Sequence, residues 1–311
     1  MINGALMETK ELGKTKEKIP ALGMGTWKIG SNESEGIEAL KTGIDIGMRF
    51  IDTAEMYGTE EMVGKTIEGM DDMFIATKVS PNHFRYDDVI KSCNRSLEKL
   101  KVKQIDLYQL HWPNSSIPIT ETMKAMEKLV DLGKIRYIGV SNFSIKEMKD
   151  AQNALKHEEI VSNQVEYSVL VRYVEKEILK FCQDNKITVI AYSPFGSGKL
   201  YGQRSNSMYD LLRNVGSKYQ KTPSQVALNW LMSKDRVMAI PKAANIAHMK
   251  ENIGALGWKL EDADMNKIND FLSDERPMVW SLNPLVKRTS SFWARLMEYK
   301  EMGRNMRGKT K

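Results

Sequence analysis

The chain has 311 residues, 41% hydrophobic and 28% charged, with 46 basic side chains against 40 acidic ones and a net charge of +6. It holds no run of about 18 apolar residues that could span a bilayer, and residues 1–18 mix both signs of charge without the apolar stretch of a secretory signal, which points to the cytosol. The charges interleave along helical stretches with no aromatic-basic RNA motif, so solvated helix faces explain them better than a nucleic-acid surface; a phosphate-bearing cofactor is the most that the basic balance supports.

Along the chain, Glu8–Lys18 carries a Gly-Lys turn between short runs and reads as a hairpin covering one end of the fold. Apolar or β-branched runs then recur at Ala21–Met24, Arg49–Ile51, Met73–Thr77, Gln104–Leu110, Ile135–Val140, Ile160–Gln164, Thr188–Ala191 and Arg236–Ile240. Between them the spacing predicts helices such as Glu33–Ile46, Tyr86–Leu100, Ile119–Leu132, Ile145–Ala154, Val174–Asn185 and Pro223–Met232. Ser144 with Glu147 three residues on forms a capping-box pattern, and Thr222-Pro223 pairs an N-cap with a proline in the first turn. Beyond Asp274 the pattern breaks into Arg276–Asn283, followed by a short amphipathic helix at Ser290–Met302. We read 1–311 as one domain, with an N-terminal extension and hairpin at 1–19 and a C-terminal loop and cap at 274–311.

Strand alternating with helix implies a parallel sheet. Eight such units without a GxGxxG turn favour an α/β fold of the (β/α)8 TIM-barrel type over an open doubly wound sheet. Neither Cys93 nor Cys182 lies in a CxxC pair, and His83, His111, His157 and His248 are scattered, so reduced thiols and no metal are expected.

In a parallel barrel the chemistry belongs at the C-terminal strand ends. The residues at those exits are Gly25, Thr26 and Trp27, then Asp52, Lys78, His111, Ser141 and Asn142, Gln164, Tyr192 and Ser193, and finally Lys242. Each alone has a structural explanation, such as a helix cap, a loop lysine or a packed aromatic. Three consecutive strands nevertheless deliver an acid, a lysine and a histidine to one rim, and Tyr57 returns over it on the loop after Asp52.

At these residues the sequence resembles the aldo-keto reductase family, from about Met7 to Asp274. One motif runs from Gly47 to Ala54 and on through Tyr57, Gly58, Glu60, Val63 and Gly64; a second is Ile138–Phe143; a third is Ile240-Pro241-Lys242 with Glu251-Asn252. Ala243 stands where the family commonly has serine or threonine, and His248 where an arginine often meets the 2′-phosphate of NADPH.

The resemblance implies an NAD(P)H-dependent reductase of aldehydes and ketones that prefers NADPH, acts as a monomer and needs no metal. Tyr57 would donate the proton, Lys78 would stabilise its phenolate, Asp52 would hold Lys78, and His111 would orient the carbonyl oxygen. Ser141, Asn142 and Gln164 would take the carboxamide, and Tyr192 would stack on the nicotinamide. Ser193, Pro194, Phe195 and Ser197 would follow the pyrophosphate, while Ile240, Lys242, Ala243, His248, Glu251 and Asn252 would line the adenosine phosphate end. Trp27, Met56, Trp112 and Trp280 are candidates for the pocket wall.

Two other classes are weighed against this reading. A non-catalytic cofactor-sensing subunit could share the barrel, but the four catalytic residues are intact. A glycosidase or metal hydrolase would need a carboxylate pair or clustered ligands, and only Asp52 stands at a strand exit.

Overall fold

Residues 8–29, 32–202 and 206–271 are described in a computed structural model of the protein. Strands β1 (Thr9–Glu11) and β2 (Lys18–Pro20) form an antiparallel hairpin. Eight parallel strands follow: β3 (Met24–Gly25), β4 (Phe50–Asp52), β5 (Phe74–Val79), β6 (Ile105–Leu110), β7 (Ile135–Ser141), β8 (Ile160–Glu166), β9 (Thr188–Tyr192) and β10 (Val237–Ala239). The sheet order is sequential, and bridges from Leu22 to Ala239 and from Gly25 to Lys242 close β10 on β3. The sheet is therefore a barrel.

The helices are α1 (Glu33–Asp45), α2 (Glu60–Ile67), α3 (Tyr86–Leu100), α4 (Ile119–Asp131), α5 (Ile145–Ala154), α6 (Ile178–Asp184), α7 (Asn206–Tyr219), α8 (Pro223–Met232), α9 (Ile246–Ile253) and α10 (Asp262–Asp270). The expected capping box of Ser144 with Glu147 is present on α5, and the expected Thr222 N-cap with Pro223 is present on α8, where Gln225 completes a second box. None of the described helices is long and apolar enough to cross a membrane. Cys93 and Cys182 are free thiols buried on α3 and α6.

Period two along each strand explains how the barrel is both packed and chemically equipped. Phe50, Phe74, Leu107, Ile190 and Met238 meet Leu12 and Ile19 of the hairpin in one buried cluster, so the lower barrel is apolar and plugged from below. Two or four residues further along the same faces stand Asp52, Lys78, Gln109, Tyr192 and Lys242, at the opposite end. The alternate residues pack against the helices in the larger core.

Three expectations are corrected. The first barrel strand pairs regularly only at Met24–Gly25, with Leu22 held by an isolated bridge. The single helix expected at Val174–Asn185 is a 3-10 turn, Tyr173–Glu175, and then α6. The backbone breaks at Glu177, because Glu175 is tied down by Tyr167 and by Arg172, which also donates to the carbonyl of Asn269. An additional helix, α7, lies between β9 and α8. The tail beyond Phe271, including the expected C-terminal loop, cap and Trp280, lies outside the described residues.

Gly64 of the first motif sits where α2 meets α3. A Cβ there would stand 2.3 Å from the Lys99 carbonyl oxygen and 2.9 Å from the Leu100 carbonyl carbon. Helix propensity alone would make Gly64→Ala stabilising by about 1 kcal/mol. Because the obstruction is backbone, overpacking outweighs that gain, and Gly64→Ala should destabilise the protein by about 1–3 kcal/mol, read as a lower urea midpoint at unchanged m-value.

Candidate active site

Asp52 ends β4 and is 2% exposed. Its Oδ1 accepts from Lys78 Nζ at 2.6 Å, while its Oδ2 accepts from Gln164 Nε2 at 2.8 Å and from Gln109 Nε2 at 3.3 Å. Lys78, fully buried on β5, also donates to the Thr53 carbonyl at 2.8 Å. Burial lowers the lysine from its usual range, and the adjacent Asp52 carboxylate opposes that shift.

A 3-10 turn, Glu55–Tyr57, follows β4 and brings Tyr57 back over the mouth. Its hydroxyl lies 3.4 Å from His111 Nε2, and Lys78 Nζ is 4.9 Å from the centre of its ring. His111 leaves β6 stacked on Trp112, with ring centres 3.9 Å apart and planes 8° apart. Trp112 therefore fixes the imidazole. The imidazole is held well below its ordinary value by burial and then by the Lys78 charge, so it is neutral.

Burial, followed by the charge of Asp52 and by Tyr192, pushes the Tyr57 phenol well above its usual value. The Lys78 ammonium is paired with the Asp52 carboxylate at 2.6 Å, and desolvation dominates the shift of the phenol. Tyr57 is consequently a protonated phenol, a proton donor in its resting form.

The exits of β7, β8 and β9 form a second group. Ser141 Oγ donates to the Gln164 carbonyl at 3.0 Å, Asn142 Nδ2 donates to Ser141 Oγ at 3.1 Å and to the His111 carbonyl at 3.3 Å, and Tyr192 donates to Asn142 Oδ1 at 3.0 Å. Asn142 adopts a left-handed φ of 61°, which turns its side chain into this network. After β9, Gly196, Ser197 and Gly198 are consecutively left-handed, and the N–H groups of Gly196 and Gly198 donate to the carbonyls of Ser193 and Phe195 at 2.8 and 3.2 Å. Ser197 Oγ lies 3.2 Å from Ser193 Oγ, Pro194 is buried, and Phe195 packs on Tyr201 with ring centres 6.3 Å apart.

At the end of β10, Ile240 and Ala243 are buried while Lys242 is exposed. His248 is exposed near the start of α9, where Asn245 caps its backbone N–H, and its ring stands 3.9 Å from Glu251. Glu251 Oε1 is occupied by Thr222 and Ser224 at 2.9 and 2.8 Å, and Asn252 is buried.

Not every expected residue opens onto the mouth. Thr26 is fully buried, its hydroxyl 3.1 Å from the Asp52 carbonyl and 3.0 Å from Thr59, so it braces β4. Gly25 packs under Ile240, whose carbonyl oxygen would be 2.8 Å from a Cβ. Trp27 is 43% exposed with Lys28 over its ring, and Met56 is half-buried beside Tyr57. Two contributors were absent from the sequence reading, Gln109 and the Thr53 carbonyl. The first was detectable as a polar residue on the inward phase of β6; a backbone carbonyl has no sequence signal.

The residue pattern of the Aldo/keto reductase family matches residues 21–273. Methylglyoxal reductase YeaE of Escherichia coli is 36% identical over 256 residues, covering 79% of this chain and 89% of its own length. Glyoxal reductase of Bacillus subtilis is 34% identical, covering 88% and 95%. Among solved structures, a thermostable aldo-keto reductase in complex with the inhibitor epalrestat matches with a TM-score of 0.80 at 42% identity, over 85% of this chain and 99% of that one. An aldo-keto reductase from Klebsiella pneumoniae in complex with NADPH matches with a TM-score of 0.78 at 35% identity, over 85% and 94%.

The buried imidazole gives a direct test of the electrostatics. In nitrogen-15 NMR spectra, His111 should remain neutral as pH falls through the ordinary histidine value of about 6.5, whereas protonation at or above that value would contradict the geometry.

Proposed function

The chain belongs to the aldo/keto reductase family, and from that premise we propose that it reduces small aldehydes, with 2-oxoaldehydes such as methylglyoxal and glyoxal foremost, to alcohols at the expense of NADPH. The observation that carries this reading is the pairing at the barrel mouth of a protonated, half-buried Tyr57 with a neutral His111, above the Asp52–Lys78 ion pair. The substrate class is supported by the two relatives named as methylglyoxal and glyoxal reductases.

The residues present suit a nicotinamide dinucleotide. Hydroxyl and amide groups of Ser141, Asn142 and Gln164 match the hydrogen-bonding needs of a carboxamide, and the half-buried Tyr192 ring offers a stacking face beside them. The accessible hydroxyls of Ser193 and Ser197 suit a pyrophosphate, and the exposed Lys242 ammonium near the N-terminus of α9 suits a further phosphate. When bound, the dihydronicotinamide supplies the hydride that reaches the carbonyl carbon.

The protein's part is to bind, orient and protonate. His111 Nε2, 3.4 Å from the Tyr57 hydroxyl, defines with it a position for the carbonyl oxygen. Tyr57 releases its phenolic proton to that oxygen as negative charge develops there, and recovers a proton from water after the alcohol leaves. The Lys78 ammonium beneath the ring favours the transient phenolate, and Asp52 keeps that ammonium charged and fixed. Trp27, Met56 and Trp112 wall a small, largely apolar pocket. We further propose that the protein works as a monomer in the cytosol.

Loss of NADPH absorbance on adding methylglyoxal tests the reading. Tyr57→Phe should keep NADPH affinity while lowering turnover by about a hundredfold or more, and unchanged turnover would remove Tyr57 from its role. Lys242→Ala should weaken NADPH binding by about tenfold or more relative to NADH, through loss of a charged contact. His248→Arg should shift the preference the other way, and both are read from binding titrations with the two cofactors.

A further inference from the structure

The loops carrying the catalytic side chains are tied together outside the barrel by one carboxylate. Glu55 begins the 3-10 turn that ends at Tyr57, and its side chain is 15% exposed. Its Oε2 accepts from the Ser80 backbone N–H at 3.0 Å, two residues beyond Lys78. Its Oε1 accepts from His83 Nδ1 at 2.9 Å, from Arg95 Nη2 at 3.1 Å and from the Ser92 hydroxyl at 3.3 Å. The 80–83 turn is in turn held by Asn114, whose Nδ2 donates to the Pro81 carbonyl at 2.8 Å and which lies three residues beyond His111. A single chain of polar contacts thus links the exits of β4, β5 and β6.

We propose that Glu55 is a positioning residue for the reaction: by locking the turn that carries Tyr57 to the loop after Lys78, it sets where the Tyr57 hydroxyl stands relative to His111. This rests on the reading of Tyr57 as the proton donor. The turn needs such a restraint. It has no side-chain cap, its C-cap Gly58 is left-handed with open space around it, and the Tyr57 hydroxyl is held by His111 only at 3.4 Å. Burial works against ionisation of the Glu55 carboxyl, and the contacts from His83, Ser80 and Arg95 outweigh it and hold the group below the usual carboxylate range. The carboxylate is therefore charged when the reaction runs, and its bonds are charge-assisted.

Glutamine at this position preserves shape and can still accept from Ser80, but it loses the ionic contacts. Glu55→Gln should lower kcat for methylglyoxal reduction by roughly tenfold to a hundredfold, the scale of a misplacement of about 1 Å, with the NADPH dissociation constant unchanged. It should also move the Tyr57 resonance in spectra of protein labelled with carbon-13 tyrosine, assigned by its disappearance in Tyr57→Phe. Arg95→Ala, which removes one partner from the far side, should produce a smaller effect in the same direction and serves if Glu55 variants fold poorly. Unchanged kcat with an unmoved Tyr57 resonance would overturn the proposal. So would a parallel loss of NADPH affinity with movement of many tyrosine signals, which is what a general loosening of the barrel would give. If the wild-type protein reduced no carbonyl compound while Glu55→Gln still moved the Tyr57 signal alone, the positioning role would stand and the reductase reading would fall.

Discussion

The ion pair between Asp52 and Lys78 is the constraint around which the catalytic end of the barrel is arranged. Both side chains are removed from water, at 2% and 0% exposure, and desolvating two ions costs several kcal/mol each unless their remaining donors and acceptors are met. They are met from three directions. Gln109 and Gln164 satisfy the second carboxylate oxygen, and the Thr53 carbonyl takes a second ammonium proton. Those partners come from β4, β6 and β8, so pairing the charges requires the barrel to be closed and in register. A charge pair that would be a liability in an isolated sheet becomes affordable only inside the finished cylinder.

That arrangement explains why the reacting groups above it are neutral. With Lys78 compensated by Asp52, little net positive field reaches Tyr57, and burial keeps its proton on. The lysine still bears on His111, where it joins burial in excluding a second positive charge. A neutral imidazole and an intact phenol are the forms able to present N–H and O–H groups to a carbonyl oxygen. The same ion pair lies close enough to the phenol ring to favour the phenolate once the proton has gone. In the proposed mechanism one buried pair would serve both states, because they depend on different charges: the resting phenol on the pair as a whole, and the developing phenolate on the nearer ammonium.

Much of this was legible in the sequence because period two and position along a strand carry it. All eight strands were readable from short apolar runs, and their polar exits named the acid, lysine, histidine, serine, asparagine, glutamine and tyrosine that the structure gathers at one end. The capping patterns at Ser144 and Thr222 were equally local and equally legible. What was missed depends on partners far along the chain. The break at Glu177 follows from Arg172 reaching residues near position 269, and Thr26 turned out to be a brace because Thr59 and the Asp52 carbonyl lie over it. The direction of the Tyr57 shift could not be read from composition, since it hinges on whether the neighbouring lysine is already compensated. Short helices such as α2 and α9, with eight residues each, give periodicity too little length to register.

The distribution of these groups around the barrel also separates what can vary from what cannot. The residues proposed for proton transfer lie at the exits of β4, β5 and β6, in the loops that Glu55 and Asn114 tie together. The phosphate-facing candidates, Lys242 and His248, lie after β10, where Ala243 and His248 depart from the family's usual residues. Among the described residues, the Asp52 carboxylate is held by Lys78, Gln109 and Gln164. Changes at the β10 exit can therefore retune recognition of the cofactor's phosphate without disturbing the charges that set the chemistry. In the proposed reading the two departures from the family pattern would bear on cofactor choice and not on the proposed proton donor.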